Sequence, residues 1–188
     1  MVIYSLQKIV KDLWDFSMIE TTKFYGKYRG TVVQNIDPLQ MGRIQAIVPD
    51  VSNIIPSTWA MPCVHLAGRQ MGTYMVPQIG AGVWIEFEQG DPDYPIWVGG
   101  FWGSAADVPA LALAGAPALP SIVVQTTAQN AIVLSDLPGP MGGIMLKSAT
   151  GAMILINDTG ITIQNGKGAS IVMTGPAVTI NNGALTVI

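Results

Sequence analysis

The C-terminal third of the chain is written in short alternating runs. Ile154/Ile156, Ile161/Ile163, Ile171/Met173, Val178/Ile180 and Leu185/Val187 are apolar pairs, each split by one residue that faces the other way. Turn formers separate them: Asn157-Asp158-Thr159-Gly160, Asn165-Gly166-Lys167-Gly168, Thr174-Gly175-Pro176 and Asn181-Asn182-Gly183. The pairs recur every seven or ten residues, so each unit is one strand and one turn, too short to hold a helix. A looser version begins at Ile122-Val123-Val124-Gln125-Thr126, Ile132-Val133-Leu134-Ser135 and Ile144-Met145-Leu146-Lys147. About eight strands therefore occupy this third of the chain. A row of faces two apolar residues wide does not close a core, and its bare side and edges favour identical copies wrapped around a shared axis. An ordinary antiparallel meander packed on the N-terminal half fits the same alternation.

Upstream the pattern changes twice. Leu6, Ile9, Val10, Leu13, Trp14 and Ser17 recur at helical spacing within Ser5–Ile19, with Lys8, Lys11, Asp12 and Asp15 elsewhere on the wheel. This predicts a short amphipathic helix, either folded back on its own domain or serving as a docking arm. From Tyr28 to Trp102 the text is β: strands at Gly30–Ile36 and Arg43–Val48, joined by the breaker-rich Asp37–Gly42, then Trp59–His65, bent at Pro62 and so at a sheet edge. Thr73–Val76 follows, then Val83–Glu88, where Val83, Ile85 and Phe87 share one face and Trp84, Glu86 and Glu88 the other. Ile96–Trp102 closes the series after the turn Gly90–Pro95. About five main strands in this span predict a small closed barrel.

Composition sharpens the picture. Apolar residues make up 49% and charged residues 11% of the chain, with 21 glycines, against about a quarter charged in ordinary soluble domains. So sparse a charge implies that much of the surface meets other protein. A net charge of −3 and only 9 Lys+Arg remove the basic field that nucleic-acid binding relies on. Cys63 is the one cysteine, so an internal disulfide is excluded. The opening Met1–Ser5 lacks a basic segment followed by a long apolar run, which predicts synthesis in the cytoplasm without a signal peptide. No window reaches a membrane span, and Val108–Pro120, broken by Pro109, Pro117 and Pro120, reads as a linker.

Pro77-Gln78-Ile79-Gly80-Ala81-Gly82-Val83-Trp84-Ile85-Glu86-Phe87-Glu88, followed by Gly90-Asp91-Pro92-Asp93-Tyr94-Pro95-Ile96-Trp97-Val98-Gly99, resembles the barrel signature of the phage baseplate assembly protein V family. These are spike proteins of contractile phage tails, related to the valine-glycine repeat spikes of type VI secretion. Gly30-Thr31-Val32-Val33 and Met41-Gly42-Arg43-Ile44 resemble the same domain's first hairpin. The resemblance covers about residues 26–103. It implies an all-β chain: an N-terminal arm (1–25), an oligonucleotide/oligosaccharide-binding (OB) type five-stranded barrel (26–103), a Pro/Ala-rich linker (104–120) and a trimeric intertwined β-helix or β-prism needle (121–188). Three chains with successive strands on successive faces would stack about eight strands per face, a needle on the order of 40 Å. Ile154, Ile156, Ile161, Ile163, Ile171, Met173, Val178 and Ile180 would fill the trimer core.

The resemblance also implies partners. The helix positions Leu6, Ile9, Val10, Leu13 and Trp14 are candidates for docking on a hub protein at the inner-tube end of the baseplate. Leu185, Thr186, Val187 and Ile188 end the chain inside a strand, and in related spikes such an end is covered by a conical protein of the proline-alanine-alanine-arginine repeat type. The iron-holding histidines of some related needle tips have no counterpart, because no histidine follows His65.

Candidate chemistry is thin. Cys63 and His65 share one strand face, but nucleophilic catalysis needs an orienting third group and zinc needs two further ligands, and the sequence has no other Cys or His. Glu86, Glu88, Asp91 and Asp93 mimic a glycosidase carboxylate pair. Asp91-Pro92-Asp93 is better read as turn chemistry. Gly139–Gly143 lacks the Lys-Ser/Thr of a phosphate loop. The reading is a non-enzymatic homotrimeric spike, without cofactor or metal, that meets a target envelope transiently and binds no nucleic acid. The alternative is an OB-type nucleic-acid- or glycan-binding module with a β-rich tail, for which Trp84, Trp97, Phe101 and Trp102 would stack on a ligand. A polysaccharide-acting β-helix would need a carboxylate-lined face, whereas residues 121–188 hold only Asp136 and Asp158.

Overall fold

A computed structural model describes residues 22–115 and 117–187. The Ser5–Ile19 segment, with its docking positions Leu6, Ile9, Val10, Leu13 and Trp14, lies outside the described residues, as does Ile188. The chain divides into two compact units at Gly103/Ser104.

The first unit is a curled five-stranded sheet. Its strands are β1 (Tyr28–Gln34), β2 (Gln45–Ile47), β3 (Met61–Pro62), β6 (Gly82–Phe87) and β7 (Pro95–Phe101), in the order β2-β1-β6-β7-β3. The two edges meet where Ile44 and Ala60 exchange backbone hydrogen bonds of 3.2 and 2.7 Å, which closes the barrel. The period-2 alternation of β6 is realised directly: Val83, Ile85 and Phe87 are buried, while Gly82, Trp84 and Glu86 are half-buried on the other face. With Val32, Ile44, Ala46, Val48, Ala60 and Trp97 they form the core. Phe24, just before β1, packs on it with ring centroids 6.1 Å from Phe87 and from Tyr28.

Two strands differ from expectation. Trp59–His65 shrinks to β3, a parallel edge partner of β7, because Pro62 has no N–H to continue a ladder. Thr73–Val76 is not a strand. The chain instead makes the two-residue pair β4 (Ala67–Gly68) and β5 (Met71–Gly72), turned at Gln70 with φ 58°.

The second unit is one eight-stranded sheet: β8 (Ile122–Gln125), β9 (Ala131–Ser135), β10 (Gly143–Lys147), β11 (Ala152–Asn157), β12 (Gly160–Asn165), β13 (Ser170–Thr174), β14 (Ala177–Ile180) and β15 (Leu185–Val187). Every strand lies beside its sequence neighbours, and every junction is antiparallel. The expectation that successive strands pass to successive faces, paired between chains, is therefore corrected at one point: the pairing runs within the chain. The turns explain it. Asn157 pairs with Gly160 and Thr174 with Ala177, leaving two-residue loops that reverse the strand and do not let it advance. Asn157 Oδ1 fastens the first of these by accepting from the Thr159 N–H at 2.9 Å and hydroxyl at 2.7 Å. Gly143 and Gly160 begin their strands at positive φ, and a Cβ on either would collide with a backbone carbonyl of the adjacent strand. The stretch read as a linker carries helical turns at Ala105–Asp107 and Ala110–Leu113.

Candidate assembly surfaces

The register of the second unit builds two columns of side chains on one face. Val124, Ile132, Leu146, Ile154, Ile163, Ile171, Ile180 and Leu185 are successive cross-strand partners. Ile122, Leu134, Ile144, Ile156, Ile161, Met173, Val178 and Val187 form the second column by the same pairings. All sixteen are aliphatic or Met, and twelve of them are 38–67% exposed. The remaining four, Ile161, Met173, Val178 and Ile180, are half-buried.

The opposite face is the better covered one. Val133 of β9 is buried, and with Met145 of β10 and Leu155 of β11 it lines a small cavity closed by Leu111, Ala114, Leu137 and Met141 from the same unit. The chain thus shields one side of its sheet over β9–β11 with its own segments and leaves the more aliphatic side open. An unbroken apolar face of this extent marks an interaction surface, and the trimerisation match below makes it a protein interface. The sequence showed half of this: the expected core positions fall in these two columns. The cover on the other face went unread, although the runs Ile122-Val123-Val124 and Met153-Ile154-Leu155-Ile156 are apolar at consecutive positions, the mark of a strand buried on both sides.

In the barrel, Cys63 and His65 are exposed, and the Cys63 N–H donates to the Trp97 carbonyl at 2.9 Å as ordinary β pairing. No group of three or more His, Cys, Asp and Glu able to hold a metal occurs among the described residues. Two carboxylates of the acidic cluster, Glu86 and Asp91, are spent on structure. Glu86 pairs with Lys27, Asp91 lies 3.5 Å from Lys23, and Asp91 Oδ1 accepts from the Asp93 N–H at 3.1 Å, turning the loop on itself.

Sequence reasoning missed the most strongly perturbed group. The Asp37 side chain is 2% exposed and takes Arg43 in a forked pair, with Nη2 at 2.6 Å and Nε at 3.1 Å. It also accepts from the N–H groups of Leu39 and Met41 at 2.9 and 2.8 Å, which organises the breaker-rich turn. The Arg43 guanidinium, outweighing the burial that opposes it, holds the Asp37 carboxyl well below the usual carboxylate range, helped by those backbone donors. Trp97 Nε1 donates to the Gly42 carbonyl at 3.1 Å and ties the end of this turn to the core. On the outer face Arg29 lies over Trp84 and Phe101, 5.4 and 5.2 Å from their ring centres. Two stacking candidates of the binding-module reading are thus engaged within the chain.

A closed small barrel followed by a sheet with one bare aliphatic face defines a protein that assembles through its C-terminal part. Comparison with protein families bears this out in both units. Residues 28–102 match the type VI secretion system/phage-baseplate injector OB domain, and residues 121–186 match the phage baseplate V C-terminal trimerisation domain. The chain belongs to the phage baseplate V family, and its role is that of a structural baseplate spike protein. No curated protein matches the chain. Among the described residues no helix is long and apolar enough to cross a membrane.

Proposed function

We propose that three copies of this chain close their aliphatic faces around a common axis and form the central needle of a contractile injection particle. The observation that carries this is the sixteen-residue face, apolar at every position and largely open in the single chain. Three such faces give a prism whose axis is filled by Ile154, Ile163, Ile171, Ile180 and their neighbours, with Ile156, Ile161, Met173 and Val178 in the flanking rows. Eight strands at about 4.8 Å make it on the order of 40 Å long. The match to a trimerisation domain supports the same stoichiometry. The action is mechanical: contraction drives the needle into a target envelope, and no residue performs covalent chemistry.

The domain plan follows that reading, with an arm over 1–25, the barrel over 26–103, a connecting stretch over 104–120 and the needle over 121–188. Leu6, Ile9, Val10, Leu13 and Trp14 dock on a hub protein of the baseplate. Leu185, Thr186, Val187 and Ile188 receive a tip protein of the proline-alanine-alanine-arginine repeat type; β15 is an edge strand among the described residues, with Leu185 and Val187 exposed. The deciding experiment is the native mass of the purified full chain. A stable mass near three times 19.9 kDa supports the needle; a monomer at micromolar concentration refutes it.

A further inference from the structure

Between residues 121 and 188 the chain holds four charged side chains, and the fold sorts them by sign. The antiparallel register gathers the turns of the sheet into two rows, one along each lateral margin. The turns after β9, β11 and β13 form one margin and hold Asp136 and Asp158. The turns after β8, β10, β12 and β14 form the other. Lys147 ends β10 on that side, and Lys167 stands in the turn between β12 and β13. Neither margin carries a charge of the opposite sign.

The two signs do not meet within one chain. β10 lies between Lys147 and the turn of Asp136, and β12 lies between Asp158 and Lys167. At about 3.3 Å per residue their end residues are about 13 and 17 Å apart. None of the ion pairs among the described residues involves any of the four. Asp136, Asp158 and Lys167 are exposed and Lys147 is half-buried. Asp158 Oδ2 accepts from the Gly139 N–H at 2.8 Å, which leaves its other oxygen to a partner. The Lys167 turn is ordered, because Asn165 Oδ1 accepts from the Lys167 and Ala169 N–H groups at 2.8 and 3.1 Å. The remaining charge of this unit, Asp107, accepts from the Ser104 N–H in its own helical turn at 2.8 Å.

We infer that the acidic margin of each copy meets the basic margin of the next, with Asp136 facing Lys147 and Asp158 facing Lys167 of the neighbouring copy. The inference rests on the proposed trimer and gives it an order. When three sheets turn their aliphatic faces to one axis, each margin lies beside the opposite margin of its neighbour, a heterologous contact that a threefold axis closes into a ring. The contact is continuous with the aliphatic columns, which run between the two margins. The spacing matches as well. Counted in strands, Asp136 and Asp158 are two steps apart and Lys147 and Lys167 two and a half, about 10 and 12 Å along the stack. Copies at equal height therefore offset the first pair by about 2.4 Å and the second by about 4.8 Å in the same direction, within the reach of a flexible lysine stem. An inverted copy would set acid against acid and base against base. Exposed pairs add little affinity; what they supply here is polarity and register, so that all three copies point the same way.

The test uses the full chain with Cys63→Ser, which removes its one native thiol. Asp158→Cys and Lys167→Cys are introduced together and treated with a bifunctional maleimide shorter than β12, so that the two thiols cannot be joined within one chain. On a denaturing gel the double variant is expected to give covalent trimers at least ten-fold above either single-cysteine variant. A double variant that stays single-chain on the gel while its native mass is trimeric overturns the inference and leaves the needle intact. Dimers from D158C alone, which report acidic margins in contact with each other, also overturn it. The charges are tested separately at low ionic strength. Lys167→Glu is expected to weaken trimer association on dilution at least ten-fold, and adding Asp158→Lys to restore it to within about three-fold of the unmodified chain. K167E that dissociates no more readily than the unmodified chain, or a charge swap no better than K167E alone, overturns the pairing. A monomeric native mass for the unmodified chain removes the needle reading, and this inference with it.

Discussion

Ile163→Asp separates the assembly from the fold. Ile163 pairs with Ile154 on one side and Ile171 on the other, and is 38% exposed in the single chain. Full burial of an aliphatic side chain contributes about 1.5–3 kcal/mol, so closing the remaining exposure is worth about 0.6–1.1 kcal/mol per copy and about 2–3 kcal/mol per trimer. Three aspartates at that level of the axis lie about 5 Å apart. At an effective dielectric of about 20, each pair costs about 3 kcal/mol and the three pairs about 10 kcal/mol. Escape by protonation is no cheaper by much: about three pKa units at neutral pH cost about 4 kcal/mol for each of two groups. The sum is about 10–13 kcal/mol, or about seven to nine decades in the trimer association constant. Within one chain the same change costs about 2–3 kcal/mol, about 1–2 from the apolar surface already covered and about 1 from the poorer β propensity of Asp, well below its effect on assembly. Thr162→Asp, one residue along on the opposite face, is the control. Native mass spectrometry with far-UV circular dichroism reads both quantities. The expected result is a monomeric, β-rich I163D beside a trimeric T162D. An I163D that stays trimeric on dilution, or a T162D that dissociates as readily, refutes the assignment of the inner face.

Three further outcomes follow from the geometry. Asp37 has a depressed pKa in the folded state, so its contribution to stability is complete above its unfolded value of about 4 and is lost as pH falls from there toward the folded value. Urea midpoints of the barrel between pH 7 and 3 should fall in the wild-type chain over that acid range, and Asp37→Asn should remove the part of the slope due to this group; an unchanged slope counts against the pair. Trp97→Phe leaves the Gly42 carbonyl without its donor and should cost about 1–3 kcal/mol from the hydrogen bond alone, read as a lower urea midpoint. Gly160→Ala drives a Cβ into the Met173 carbonyl at a positive φ, so hydrogen exchange across β12 and β13 should rise sharply, and wild-type protection would contradict the register.

How much was legible in advance follows from the range of the forces involved. The alternation of β6 and the pairs from Ile154 to Val187 are set by local periodicity, so strand content, the buried face of β6 and the shared face of those pairs could be read from spacing. Strand pairing depends on turn length. The two-residue loops at Asp158–Thr159 and Gly175–Pro176 were present in the text, and they dictate hairpins within one chain. The loop from Cys63 to Val76 resisted reading because it has no period, and its fold rests on Gln70 and Gly72 at positive φ. Asp37 was hidden for another reason. Its partner Arg43 lies across a turn whose closure is itself caused by the pair, so neither residue signals the other by spacing.

Pairing within the chain changes what holds a needle of this kind together. The backbone bonds of the sheet run from strand to strand within one chain, so in the proposed needle it is the side chains of the apolar columns that join the copies. Load along that direction is borne by a continuous ladder in every chain, while lateral cohesion depends on the apolar columns. The ladder is also uneven. β11 and β12 are paired from Ala152–Asn165 to Asn157–Gly160, whereas β14 and β15 meet only at Val178–Val187, Thr179–Thr186 and Ile180–Leu185. The shortest junction of this sheet is therefore at β15, its edge strand among the described residues, whose apolar residues Leu185 and Val187 are exposed. Local opening starts where backbone pairs are few and solvated. In the needle proposed above, this three-pair junction is the weakest rung of the ladder, which supports the proposed docking of a tip protein at Leu185 and Val187.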